Sequence, residues 1–234
     1  MNQNAVGIPT EMLGLEIRPL LRRVYLWMTF GVLLTAIVAL LTVTTPVLRN
    51  LLLNPLVVWG ALIGELALVL VLSAAIRRLS PMVAALLFFA YAGLLGFSLS
   101  GIFFVYDLGS IALAFLSASA LFGLMTFVGF ATRADLTKLG TYLIVGLFGL
   151  IIATLLNLFL RSSTLDLLVS LVGVVLFTGL TAYDTQKIAR MAKDPAVQEE
   201  GVMLGRLSVL GALTLYLDFV NLFLFLLRLI GRRR

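Results

Sequence analysis

The sequence predicts an all-α membrane protein with seven transmembrane helices, and three observations support that prediction. First, 62% of the 234 residues are hydrophobic and only 12% are charged, whereas a water-soluble domain has about a quarter charged residues. Second, apolar runs of about 18 residues or more recur along the chain, each long enough to cross a hydrocarbon layer of roughly 30 Å. Third, no polar segment is long enough to bury its own core, so residues 1–234 are predicted to form a single membrane domain.

Seven predicted spans follow one another along the chain with short breaks between them. They cover residues 24–43, 56–75, 82–106, 111–131, 139–160, 167–186 and 207–230. Prolines and charged residues mark the breaks, as in TTPVLRNLLLNP after the first span and IRRLSP after the second. The longest break, KIARMAKDPAVQEEGVMLGR, carries charges of both signs. The first twenty residues lack the features of a signal peptide. Residues 1–23 are predicted to form a short cytoplasmic segment, and the basic tail 231–234 follows the last span.

The distribution of lysine and arginine predicts a cytoplasmic N-terminus, since cytoplasmic loops carry the excess of these residues. With that orientation the basic residues on the cytoplasmic side are Arg18, Arg22, Arg23, Arg77, Arg78, Arg133, Lys138, Lys187, Arg190, Lys193 and Arg206. The basic tail disagrees, because seven crossings put it outside. Either a late, short tail is tolerated there, or the seventh run does not cross fully. We favour a full crossing, because residues 207–230 are long enough to span.

Net charge and the lack of a targeting signal bear on location and partners. A net charge of +6 fits loops that face anionic lipid, and no nucleic-acid partner is predicted. A bacterial plasma membrane is the predicted location, with the endoplasmic reticulum as the eukaryotic equivalent. We expect contact with membrane lipids and favour a monomer.

The chain contains no cysteine and no histidine. Disulfides, thiolate metal sites and cysteine nucleophiles are therefore excluded, and zinc or haem sites are not expected. No cofactor is predicted. Proton sensing near neutral pH has to come from carboxyl groups, because no imidazole is present.

Two aspartates interrupt the last two apolar runs. Asp184 lies in GLTAYDTQKI and Asp218 in LTLYLDFVNLFLFLL. A carboxylate at membrane depth costs roughly 2.5–3.5 kcal/mol on insertion scales, so each aspartate is a candidate functional residue. Asp184 has the alternatives of capping its helix or pairing with Lys187. For Asp218, neighbouring polar side chains offer too little to offset a buried charge.

Polar residues form one face of each of these two spans. The seventh carries Gly211, Thr214, Asp218, Asn221 and Arg228, and the sixth carries Ser170, Gly173, Thr181 and Asp184. If the two faces meet, both carboxyl groups lie in one site. Asp184 is near the end of its span and Asp218 is deep in its own. They therefore meet only if the seventh helix starts well before residue 207.

The second span adds Glu65 and Arg77. They lie about 18 Å apart along a helix and roughly 120° apart in direction, so they do not pair with each other. Arg77 is at the depth expected for Asp184, and that pairing is geometrically plausible. The alternative is that Arg77 and Arg78 anchor the helix at the membrane surface. Glu65 follows a small-residue segment typical of helix packing, whereas the loop residues Asp107 and Asp135 are expected to be solvated.

At these residues a family resemblance appears. AYDTQKI in the sixth span and SVLGALTLYLDFVNLFLFLLRLIG in the seventh closely resemble the signature of the Bax inhibitor-1 family. The resemblance implies a seventh helix surrounded by the other six, and a channel that leaks calcium through a pH-dependent gate. It also implies that Asp184 and Asp218 form a hydrogen-bonded pair, that Glu65 lines the pore, and that Arg77, or alternatively Arg78, latches the closed state against Asp184.

The physical chemistry of such a pair makes a pH-dependent gate sensible. Two carboxyl groups in one low-dielectric site do not both ionise cheaply, so they share a proton. Protonation weakens an Arg77 latch, and deprotonation restores negative charge that attracts calcium. Calcium prefers six to eight oxygen ligands. Asp184 and Asp218, with Glu65, carbonyl groups and water, are expected to hold it only weakly and in transit, with Thr181, Thr214 and Asn221 as supporting polar groups.

Other functions compete with the channel. An intramembrane aspartyl protease also uses two aspartates, but Leu-Tyr-Leu-Asp has no glycine to open the helix, and we expect no enzyme. A retinal photoreceptor needs a lysine that residues 207–230 lack. A regulator that binds a membrane protease or a cell-death factor remains open and would use the 187–206 loop. A proton-coupled cation transporter also remains open and would show saturation.

Overall fold

The computed structural model describes residues 10–194, 197 and 201–232, with side chains described from Pro19 onward. The first nine residues, the tail residues Arg233 and Arg234, and parts of the 187–206 loop therefore lie outside the described residues. Nine helices follow one another in the described part: α1 (Thr10–Thr44), α2 (Pro46–Leu51), α3 (Pro55–Ala75), α4 (Pro81–Leu99), α5 (Ile102–Val105), α6 (Leu108–Ala131), α7 (Thr137–Leu160), α8 (Ser163–Met191) and α9 (Gly201–Ile230).

The predicted all-α architecture with seven spans is confirmed. Among the described residues, seven helical segments are long and apolar enough to cross a membrane. They are the Pro19–Thr44 part of α1, then α3, the pair α4 and α5, α6, α7, α8 and α9. Two features were not predicted. The short helix α2 lies in the first loop, and the third span is interrupted near Gly101, between α4 and α5.

Local sequence explains where the helices begin. Proline occupies the first helical turn of α2, α3 and α4, where its missing N–H costs no hydrogen bond. Asp107 caps α6, because its Oδ1 accepts a hydrogen bond of 2.9 Å from the Ser110 N–H. The sequence predicted a solvated Asp107, but the side chain of Asp107 caps this helix.

Helix α9 is the centre of the bundle. In its most apolar 18-residue window 72% of the residues are buried, compared with 6% in α7. It packs against α8, α1, α6 and α4, whereas α3 packs on α4 and α7 packs on α8. The predicted central seventh helix is confirmed, and α3 and α7 form an outer layer one helix further from it.

Small residues let two helix pairs approach closely. A Cβ atom at Gly96 of α4 would lie 2.6 Å from the Thr35 carbonyl oxygen of α1. One at Gly129 of α6 would lie 2.5 Å from the Ala182 carbonyl oxygen of α8. Only glycine permits such backbone contact, which is typical of helix packing in membranes.

The two ends of α9 lie at opposite ends of the bundle. Near its start, Arg206 Nε donates a hydrogen bond of 2.6 Å to the Leu79 carbonyl, in the loop before α4. Beyond its end, the Arg232 N–H donates to Ser110 Oγ at 2.9 Å, in the first turn of α6. The seventh span therefore crosses the whole bundle, and its tail lies at the same end as the loop between the third and fourth spans.

Candidate functional site

Asp184 on α8 and Asp218 on α9 lie side by side inside the bundle. They are only 8% and 4% exposed, and their carboxyl groups are close enough to interact electrostatically. The two aspartates were predicted to meet only if the seventh helix starts well before residue 207, and it does. Helix α9 begins at Gly201 and not at 207, which adds roughly 9 Å below the predicted start.

The pair is enclosed by protein, so its charge is expensive. Two carboxylates in contact repel each other, and burial removes the water that would screen them. One shared proton relieves both costs, because a carboxylic acid donates a hydrogen bond to the neighbouring carboxylate. Asp218 Oδ2 is buried without a hydrogen-bond partner among the described residues. The site can therefore exist in two charge states that differ in how strongly α8 and α9 attract each other.

The alternative roles of Asp184 are not supported. Helix α8 continues to Met191, so Asp184 does not cap its end. Lys187 acts electrostatically on Asp184 but forms no ion pair with it. Its ammonium group lies instead over the Tyr183 ring, 5.8 Å from the centroid.

The three supporting polar residues bond to their own helices. Thr181 Oγ1 donates to the Phe177 carbonyl at 2.8 Å, and Thr214 Oγ1 to the Leu210 carbonyl at 3.1 Å. Asn221 Nδ2 donates to the Leu217 carbonyl at 2.8 Å. Within the described part of the chain, no hydrogen bond joins them directly to the aspartates.

The arginine latch is not formed in this structure. Arg77 lies just beyond α3, and its side chain is exposed, as is that of Arg78. Helix α3 packs mainly on α4, one layer away from α8. Across the residues described, neither arginine forms an ion pair with Asp184.

A polar network missed by the sequence analysis lies one to two turns beyond Asp184 along α8. Arg190 Nη2 donates to Asp135 Oδ1 at 2.6 Å, and Arg190 Nη1 to Thr137 Oγ1 at 2.9 Å. Gln186 joins it, donating to the Ala134 carbonyl at 2.9 Å. Hydrogen bonds from Thr137, followed by that from Arg190, lower the pKa of Asp135. Asp135 is exposed, as predicted, and it also ties the loop between α6 and α7 to α8.

Glu65 lies in a separate site from the aspartates. It is 9% exposed on α3, and Ser98 Oγ of α4 donates a hydrogen bond of 2.5 Å to its Oε1. Among the described residues, no group of three or more acidic side chains is close enough to hold a metal ion. The three acids therefore do not form one cluster within this part of the chain, and weak, transit-type calcium binding at Asp184 and Asp218 stays a prediction.

A second unpredicted hydrogen-bond chain crosses the opposite face of α9. Tyr216 is fully buried, and its hydroxyl lies 2.6 Å from Thr35 Oγ1 of α1. Thr35 Oγ1 is in turn 2.9 Å from the Ala92 carbonyl of α4. The tyrosine ring packs edge-on against Phe88 and Tyr91. The only signal in the sequence was a tyrosine two positions before Asp218.

Known proteins resemble this chain over nearly its whole length. Residues 17–234 match the sequence model of the family described as inhibitor of apoptosis-promoting Bax1. The chain is 46% identical over 213 residues to the inner membrane protein YbhL of Escherichia coli, with 91% of each chain covered. It is 42% identical over 215 residues to a protein of Borreliella burgdorferi, with 92% of each covered. It is also 42% identical over 222 residues to a protein of Deinococcus radiodurans, covering 94% of this chain and 92% of the relative.

Proposed function

The chain belongs to the Bax inhibitor-1 family, and from that premise we propose that it is a pH-sensitive channel that leaks calcium across the membrane. The paired carboxyl groups of Asp184 and Asp218 are its pH sensor and gate. Calcium and protons are the ions it responds to, and the protein has no catalytic residues. The YbhL relative is named as an inner membrane protein, and we extend that location to this chain, with the N-terminus in the cytoplasm.

The observation that carries the proposal is the contact between two buried carboxyl groups on adjacent helices. A pair that shares one proton holds α8 and α9 together, whereas loss of that proton leaves two like charges in contact. Helix α9 contacts most of the other spans. A change in the α8–α9 contact is therefore passed to the rest of the bundle.

Glu65 has a different part in the proposed channel. It lies on α3 with Ser98 as its hydrogen-bond donor, apart from the gate. We assign it to the ion path, where a single carboxylate with water ligands binds calcium only transiently. Transient binding is what conduction requires, since an ion has to leave the site as easily as it enters.

Calcium entry into dye-loaded proteoliposomes between pH 5 and 8 tests this function. We expect the natural chain to leak calcium with a rate that depends on pH. Asp184→Asn and Asp218→Asn should each abolish that dependence, because neither variant can form the proton-sharing pair of carboxyl groups. Asp166→Asn is the matched control, with the same chemical change in the first turn of α8, and should behave like the natural chain.

Two results would overturn the proposal. If the natural chain moves no calcium at any pH, the channel function is wrong, and regulation of a membrane partner through the 187–206 loop becomes the function to test. If calcium moves but saturates and drives counter-movement of protons, the protein is a proton-coupled transporter.

A further inference from the structure

The third span contains a break between α4 and α5 that has no assigned function so far. Helix α4 ends at Leu99 and α5 begins at Ile102. Ser100 and Gly101 between them keep right-handed helical dihedral angles, but the hydrogen bonds here change to the tighter i→i+3 pattern. Such a short i→i+3 stretch inside a longer helix often marks a functional position. The surroundings of this break therefore indicate what fills the space beside it.

A cavity of about 510 Å³ lies directly against the break. Both sides of the break line it, through Ser98 and Gly101, and Phe104 of α5 completes that wall. Arg49 of α2 also lines the cavity, and Leu52, Leu53 and Val58 complete the lining. The cavity is at the end of the bundle away from the paired aspartates, because α2 connects the far ends of α1 and α3.

One wall of this cavity leads to a buried acid. Ser98, which lines the cavity, donates its hydroxyl hydrogen bond to Glu65. Glu65 itself is buried. A single side chain thus separates the cavity from the carboxyl group assigned to the ion path. The guanidinium of Arg49 puts a positive charge on the same cavity, and that charge lowers the local concentration of cations.

We propose that this cavity is a water-filled vestibule leading to Glu65, and that Arg49 is its charge filter, limiting the entry of cations. The assignment deepens the proposed channel and rests on it for the role of Glu65. The vestibule itself can be tested without any ion flux. The chain lacks cysteine, so one introduced cysteine reports on one position alone.

Gly101→Cys is the reporter position. A side chain there meets only the Ser98 carbonyl oxygen, at the ordinary contact distance of 3.6 Å, so the cysteine fits without strain. Gly60→Cys is the matched control, because Gly60 lies on the exposed, apolar face of α3 with nothing within 4 Å. Each variant is reconstituted in lipid and treated with a cationic ammonium or an anionic sulfonate thiosulfonate reagent, and the rates of labelling are compared.

We expect Gly101→Cys to react with both reagents and Gly60→Cys with neither. After each rate is divided by the rate of the same reagent with a free thiol, the anionic reagent should be about fivefold faster at Gly101→Cys. Two unit charges about 4 Å apart interact by about 1 kcal/mol in water, which corresponds to that factor in local concentration. Adding Arg49→Ala should bring the ratio of the two rates close to one, whereas Arg49→Lys should preserve it. High salt should also reduce the ratio.

Each contrary result has a separate meaning. If Gly101→Cys is as unreactive as Gly60→Cys, lipid fills the cavity and the vestibule is wrong. If Arg49→Ala leaves the ratio of labelling rates unchanged, the charge filter is wrong. Calcium flux tests the channel separately from the vestibule. Arg49→Ala should raise the calcium leak several-fold over that of the natural chain. A natural chain that does not leak contradicts the proposed function, and the labelling rates still decide whether the vestibule exists.

Discussion

Individual residues of the central helix place polar groups on two opposite faces. Asp218 faces α8, where it meets Asp184. Tyr216, two positions earlier and about 200° around the helix, faces α1 and α4, where it meets Thr35. The helix is thus held on one side by neutral hydroxyl groups and on the other by the carboxyl pair that we propose as the pH sensor. We infer that the hydroxyl side keeps its contacts when the carboxyl side changes.

Removing the tyrosine hydroxyl tests the strength of this fixed side. Tyr216→Phe should lower stability by about 0.5–1.5 kcal/mol, the usual net contribution of one hydrogen bond, and this should appear as a lower thermal unfolding midpoint in detergent. Tyr142→Phe, at a tyrosine that is 75% exposed on α7, is the matched control and should be neutral. Equal effects of the two changes would contradict the structural role of the Tyr216–Thr35 contact.

Sequence reasoning finds such residues unevenly. Asp184 and Asp218 were singled out because ionisable groups in an apolar run are rare enough to be informative one at a time. Their pairing was implied by the family resemblance, and helix geometry allowed it only if the seventh helix started well before residue 207. Thr35 and Tyr216 were not predicted, because threonine and tyrosine are common in membrane helices. Their pairing joins positions far apart in the chain, and only the packing of α1 against α9 brings them together.

Whole elements were predicted more closely than their ends. All seven spans were found because each needs about 20 apolar residues to cross the bilayer. The polar extensions of these spans were not found, because a helical segment outside the membrane does not need apolar residues. The extensions matter here: α9 starts at Gly201 and α8 ends at Met191, and these extra turns let the aspartates meet.

The extension of α8 also holds the loop between α6 and α7, through the contact that Asp135 makes. Asp135→Asn should lower the unfolding midpoint at pH 7 but leave the pH response of calcium flux between pH 5 and 8 unchanged. A carboxyl group whose pKa is lowered on folding contributes stability above its unfolded pKa, about 3.9. It loses that contribution only as the pH falls through the still lower folded value. Asp135 therefore stays ionised across the whole assay range.

The matched control for this change is Arg133→Gln, at an exposed charge in the same loop. It should alter neither the midpoint nor the flux. A flattened pH response in Asp135→Asn would show that the pH sensor includes the loop as well as the buried pair.

For the molecule as a whole, the two ends of the bundle allow a prediction of the membrane orientation. Arg206 lies at the end with Leu79, and Arg232 at the end with Ser110. The excess of basic side chains at the first end predicts that it faces the cytoplasm. Its opposite end then carries Arg49, the vestibule and the tail.

Single cysteines test this orientation in intact bacterial cells. Asn50→Cys, in α2, should react with a membrane-impermeant maleimide added outside. Arg78→Cys, in the loop before α4, should react only after the cells are permeabilised. The reversed pattern would put the N-terminus outside and would overturn the orientation, while leaving the fold and the paired aspartates unaffected.

The central position of α9 has a consequence for how the protein is made. The helix that the other spans pack around is the last of the seven to leave the ribosome. Until it arrives, the inward faces of α1, α4, α6 and α8 lack the partner that buries them, and the partly inserted chain has no completed core. Assembly is thus finished in one late step, when α9 enters between helices already in the membrane. A ribosome that stops before Gly201 leaves every helix of the bundle present except the one that joins them.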